Sequence, residues 1–139
     1  MPEAIRGSIR YIQRYKQLIS FEGLERHRKI TPTDIDGLID YNGNAFIYME
    51  FKTEGKLIDF GQKKAIENVV DSHEIAGHRS CGVLIYHNVP SDRIIDAKSQ
   101  IVNSIYQNHK WTDWSQSKRT VNEFIEIWEN WCLSKNVKI

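Results

Sequence analysis

Two carboxylates and a lysine stand where a short hairpin would gather them. The stretch Thr33-Asp34-Ile35-Asp36-Gly37 is followed by Met49-Glu50-Phe51-Lys52, with the dipeptide Asn42-Gly43 between them. Asn-Gly flanked by extended runs is the signature of a tight hairpin turn. Asp36 and Glu50 are 14 residues apart and their midpoint falls on Gly43, so antiparallel pairing predicts that they lie opposite each other. The same symmetry selects Asp36 over Asp34. Directly paired side chains hold their Cβ atoms about 4.5–5.5 Å apart, where like charges repel. A hard cation between them reverses the sign. Mg²⁺ is held by one or two carboxylates, with water and phosphate oxygens filling its other positions. Lys52 shares the strand face of Glu50, about 6.5–7 Å further along. An ammonium there can orient or deprotonate a water held by the ion, or stabilise charge on a phosphate. The chemistry these types and spacings suit is phosphodiester hydrolysis.

The elements that must position these groups follow from patterning. Ile35, Gly37, Ile39 and Tyr41 alternate with Asp36, Leu38 and Asp40, which predicts the first strand. Ala45 to Lys52 is almost wholly apolar up to Glu50 and reads as a strand buried on both faces. A helix is expected from about Asp59 to Ile75, with Phe60, Ala65, Ile66, Val69 and Val70 as its apolar stripe and Gly77 as its stop. Cys81 to His87 is a second central strand, and a strand–helix–strand of this length makes a parallel crossover. Ile101 to Tyr106 reads as a further strand, turning through Gln107-Asn108-His109-Lys110. An amphipathic C-terminal helix is expected from Thr120, an N-cap, through Val121, Phe124, Ile125, Trp128 and Trp131. Upstream, Ile5, Ile9, Ile12, Tyr15 and Ile19 recur at helical spacing beside Arg6, Arg10 and Arg14. With neither repeat nor linker, residues 1–139 read as a single α/β domain with a central mixed sheet.

Asp36 with Glu50-Phe51-Lys52 resembles the core of the PD-(D/E)xK nuclease superfamily, which includes restriction endonucleases, Holliday-junction resolvases and phage exonucleases. The resemblance extends over residues 5–88 and is closest over 31–70. It implies a restriction-endonuclease-like core of α-β-β-β-α-β order and a Mg²⁺-dependent deoxyribonuclease, with Mn²⁺ as a substitute ion. It further implies that Asp36, Glu50 and the Phe51 carbonyl bind the metal and that Lys52 serves the attacking water. Gln62, in Gly61-Gln62-Lys63-Lys64, is similar to the glutamine that many members carry at the start of this helix. Many members also place a glutamate in the first helix; Glu3, Glu22 and Glu25 are candidates here, Glu22 first. Such enzymes are often encoded by phages and mobile elements. Pro32 stands two residues before Asp34 and four before Asp36, a departure from the adjacent Pro-Asp of the motif.

Composition sets the outer bounds. Lys plus Arg is 19 and Asp plus Glu is 18, giving a formal charge of +1, which excludes a strongly basic chromatin-type binder and an acidic tail protein. The 40% hydrophobic and 27% charged content excludes a disordered or low-complexity chain. No apolar run approaches the roughly 18 residues of a membrane span. The N-terminus lacks the apolar region of a signal peptide, so a cytoplasmic protein is expected. Lys56, Lys63 and Lys64 flank the expected site and are candidates for contacts to DNA, with RNA as the other polymer of the same charge. His73, His78 and Cys81 lack the companion ligands of a structural zinc site. Trp111 and Trp114 fall in a polar stretch where base stacking is the functional possibility and packing the default. The second function class is a binding module of the same fold that holds nucleic acid without cutting it. A chain this short leaves specificity to a homodimer or to partner proteins.

Overall fold

The computed structural model describes residues 19–139. The chain divides into two compact units, Met1–Pro32 and Thr33–Ile139. In the first unit, the expected helix with Arg6, Arg10 and Arg14 lies, Ile19 excepted, outside the described residues. Its described part is exposed and carries one short 3-10 turn at His27–Lys29, where Arg28 and Lys29 both take left-handed backbone angles, φ 60° and 61°.

The second unit is a five-stranded mixed sheet with a helix on each face. The strands are β1 (Gly37–Asp40), β2 (Ala45–Thr53), β3 (Arg79–His87), β4 (Val102–Gln107) and β5 (Lys110–Asp113), in the spatial order β1-β2-β3-β4-β5. Helix α1 (Phe60–Ile75) crosses from β2 to the parallel β3, and helix α2 (Val121–Ser134) closes the chain. All other neighbouring strands are antiparallel. Both edge strands span only four residues, and a short edge offers little template for pairing with another chain. Among the described residues two strands precede α1, where the order inferred from the family resemblance has three. Thr33–Asp36 adds nothing to the sheet, and Pro32 before it has no N–H to give a ladder.

Local chemistry explains these elements. At the hairpin, Asn42 and Gly43 both take positive φ, 55° and 80°, and the Gly43 N–H donates to the Asp40 carboxylate at 2.7 Å. The centre of the turn is therefore where the Asn-Gly signal puts it. Asp59 caps α1 by accepting from the Gly61 N–H. Gly77, at φ 91°, ends the helix, with its N–H on the Glu74 carbonyl and the next N–H on that of His73. Thr120 and Glu123 form a reciprocal capping box at the start of α2.

The alternation of the strands gives each helix its own layer. Ala45, Ile47, Cys81, Val83, Ile85 and Val102 pack with Val121, Phe124, Trp128 and Cys132 of α2. On the other face Tyr48 and Tyr106 pack with Ile66 and Val70 of α1. Gly82 sits beneath α1, where an added Cβ would lie 2.4 Å from Ile66 Cγ2, so the missing side chain permits the close approach of helix to sheet. The expected stripe of α1 is narrower than the sequence indicates. Ile66 and Val70 are buried, whereas Phe60 is 78% exposed. Trp111 and Trp114 are packed: Trp111 lies in β5 with its ring on Tyr106, and Trp114 meets the Phe124 ring edge-on. No helix among the described residues is long and apolar enough to cross a membrane.

Candidate active site

The β1–β2 hairpin brings the two carboxylates to one end of the sheet. Gly37 pairs with Met49, so the next rung outward places Asp36 opposite Glu50. Asp36 precedes the strand proper, yet its carboxylate is tied to the hairpin, with Oδ2 accepting the Phe51 N–H at 2.8 Å. The Phe51 side chain packs into the α2 layer, which leaves only its backbone for the Asp36 side of the strand. Asp34 is exposed.

Glu50 is the unusual residue. It is 2% exposed on the α1 face of β2, in a row with Tyr48 and Lys52. Its Oε1 accepts from Gln62 Nε2 at 3.2 Å and faces Lys52 Nζ at 3.7 Å. Gln62 reaches it because Gln62, Ile66 and Val70 are spaced four residues apart, on the helix row that meets the sheet. Burial pushes the Glu50 carboxyl up to about 7, the Asp36 charge adds to the rise and Lys52 opposes it. Glu50 Oε2 and Gln62 Oε1 are both buried without a hydrogen-bond partner. Two orphaned acceptor oxygens on a pair of contacting side chains are costly and call for a cation or a donor.

Asp36, Glu50, Lys52 and Gln62 are thus gathered at one place. The other sequence candidates differ. Lys56 is exposed in the loop from β2 to α1. Lys63 Nζ lies over the Trp111 ring, 5.7 Å from its centre, and Lys64 pairs with Glu67 at 3.5 Å. Glu22 belongs to the first compact unit, where it is exposed with its N–H on the Ser20 hydroxyl. Cys81 is fully buried in the α2 layer, while His73, on the α1 side, meets the Tyr48 hydroxyl through Nε2 at 2.8 Å. Cys81 and His73 thus lie on opposite faces of the sheet.

A second group was not foreseen. Asp71, Glu74 and His109 bring one ligand atom each within 4.8 Å of one another and could hold a metal ion. Asp71 and Glu74 show the i, i+3 spacing of one helix face, which the sequence displays. Their convergence with His109 depends on how the β4–β5 turn packs on α1, which no local pattern reveals. Compared with known proteins, the chain matches no family model, no curated protein and no solved structure.

Proposed function

We propose that the protein is a Mg²⁺-dependent deoxyribonuclease with its site at Asp36, Glu50, Lys52 and Gln62, on a restriction-endonuclease-like core. The observation that carries this reading is that Glu50 Oε2 and Gln62 Oε1 are both buried and unpartnered. A hard divalent cation fits that donor set: one carboxylate on β2 and one just before β1, all-oxygen, with Glu50 Oε2 lacking a hydrogen-bond partner. Asp36, Glu50 and the Phe51 carbonyl would hold it. When bound, the ion supplies Lewis acidity toward the phosphate and acidifies water.

The chain's own groups do the rest. The Phe51 N–H fixes one Asp36 oxygen and with it the orientation of the carboxylate. The Gln62 amide and Lys52 ammonium both converge on Glu50 Oε1, which orients the carboxylate and leaves Oε2 open. Lys52, with its side chain 24% exposed, stands between the buried acid and solvent. There it can hold water for attack on a phosphate or balance the charge that develops. Gln62 Oε1 accepts a proton-bearing ligand, orienting the water as its second partner.

The test is a panel of labelled DNAs (single strand, duplex, flap and four-way junction) incubated with Mg²⁺, Mn²⁺ or EDTA, with Glu50→Ala as the control. Metal-dependent cutting that Glu50→Ala abolishes is the expected result. Salt-sensitive binding with no cutting of any substrate would overturn it in favour of the binding module.

A further inference from the structure

We propose that Leu57 and Phe60 form a base-binding element at the mouth of this site, and that its substrate is a DNA strand with unpaired bases; this rests on the nuclease reading above. Leu57 is 90% exposed and Phe60 78%. Phe60 is the first residue of α1, only two before Gln62, which touches Glu50. The row that meets the sheet is Gln62, Ile66 and Val70, and at about 100° per residue Phe60 points away from it. Packing therefore does not account for this phenyl ring, and Asp59 provides the helix cap without it.

Charge distinguishes this apolar surface from others on the molecule. From Lys52 to Lys64 the chain carries four lysines against Glu54 and Asp59, although its total charge is only +1. Ile75, 83% exposed at the far end of the same helix, instead follows Glu67, Asp71 and Glu74 with no lysine or arginine among them. A polyanion is drawn to the first end of α1 and repelled from the second. An aromatic ring beside a phosphate-binding site stacks on the face of a base, whatever the base. Inside a duplex both faces of every base are covered by neighbours, so Phe60 can stack only where a base is unpaired. Leu57, three residues earlier in the preceding loop, is exposed as well.

The experiment measures fluorescence anisotropy of a short labelled deoxyoligonucleotide in EDTA, as a single strand and as its blunt duplex, with Leu57→Ala/Phe60→Ala beside wild type. Both residues are exposed, and a thermal melt checks that the variant is folded. Wild type should prefer the single strand. The double substitution should weaken that binding about tenfold or more and leave duplex affinity nearly unchanged, while Phe60→Trp restores it. Equal loss on both DNAs, or no loss, overturns the proposal. Cleavage of the same strands in Mg²⁺ by wild type and Glu50→Ala separates the two readings. Strand binding through Phe60 without cutting leaves the base-binding element and removes the nuclease. Cutting that needs Glu50 but ignores Leu57 and Phe60 does the reverse.

Discussion

Two carboxylate groups flank α1, and they differ in what their oxygens already hold. At the first turn of the helix, Glu50 is buried with one oxygen unpartnered. Towards the other end, Asp71 Oδ1 accepts the Tyr106 hydroxyl at 2.8 Å and faces His109 Nδ1 at 3.3 Å, while Glu74 Oε1 accepts the Asn108 N–H at 3.1 Å. Glu67 in turn accepts from the Trp111 indole N–H at 2.9 Å. The acids of the second group thus staple the β4–β5 hairpin to the helix. Burial and then Asp71 push the Tyr106 hydroxyl pKa far up, which keeps it a donor. The contrast teaches that nearness of acids is a poor guide to a ligand site. An acid that the fold engages through one oxygen while its side chain still reaches solvent contributes stability, and an acid buried with one oxygen unpartnered calls for a cation or a donor.

The sharpest way to break this contrast is to remove charge from each group in turn. Asp36→Asn and Lys52→Ala should each lower the rate of Mg²⁺-dependent DNA cleavage by about 10²–10³-fold. Asp71→Ala should leave that rate within about threefold of wild type. Comparable losses from both groups, in single-turnover assays on one labelled DNA, would erase the distinction.

A second test needs no substrate. Without divalent ions, Glu50 titrates near 7 in the folded protein against an ordinary value of 4.5. Between those values the folded chain holds a proton that the unfolded chain releases. This carboxyl therefore favours folding below pH 4.5 and progressively disfavours it as the pH rises to about 7, by up to about 3 kcal/mol. Other carboxylates titrate too, so the measurement is the difference between wild type and Glu50→Gln in urea unfolding across that window. The difference should grow with pH in EDTA and shrink in Mg²⁺, which favours the charged form. Asp71→Ala should behave as wild type in this difference.

The second group has its own expected signature. Asp71→Ala strands the Tyr106 hydroxyl, whose residue is 4% exposed, without its acceptor. The cost is about 1–3 kcal/mol of unfolding free energy, read from the fall in the urea midpoint. Tyr106→Phe removes donor and desolvation together, so it should cost less, and the double variant should be no worse than Asp71→Ala alone.

Much of the first group was legible and most of the second was not. The Asp36–Glu50 register follows from one turn, because Asn42-Gly43 fixes the hairpin centre and pleating fixes which residues share a face. Helix α1 was legible from about Asp59 to Ile75 through its apolar periodicity and its glycine stop. Phe60 was misread because a count of apolar residues does not record direction: it falls in the first turn, off the row that Gln62, Ile66 and Val70 define. Strand β5 was hidden by its polar residues and its length, since Lys110–Asp113 shows only one apolar side chain. The turn before it takes positive φ at Asn108 and His109, 51° and 63°, without the glycine that would have announced it. Contacts between that turn and α1 join residues 34 apart, as in Asn108 to Glu74, and short-range patterns carry no such information.

The smallest expected effect concerns the lysines around the site, which differ as the carboxylates do. Lys63 rests on the Trp111 ring and Lys64 is paired with Glu67, whereas Lys56 stands exposed in the loop beside Leu57. A lysine with no carboxylate partner among the described residues gives its full counterion exchange to a bound phosphate, whereas a paired one must first give up its carboxylate. Lys56→Ala should therefore reduce the slope of log K against log salt by about 0.7–1 for single-stranded or duplex DNA, weakening binding about equally across sequences. Lys64→Ala should change the slope by less, because its removal also frees Glu67 to repel the strand at every salt concentration. Anisotropy titrations at three or more salt concentrations measure both. Equal slopes for the two variants would mean that the Glu67 pair does not survive in solution, as is common for exposed pairs along a helix.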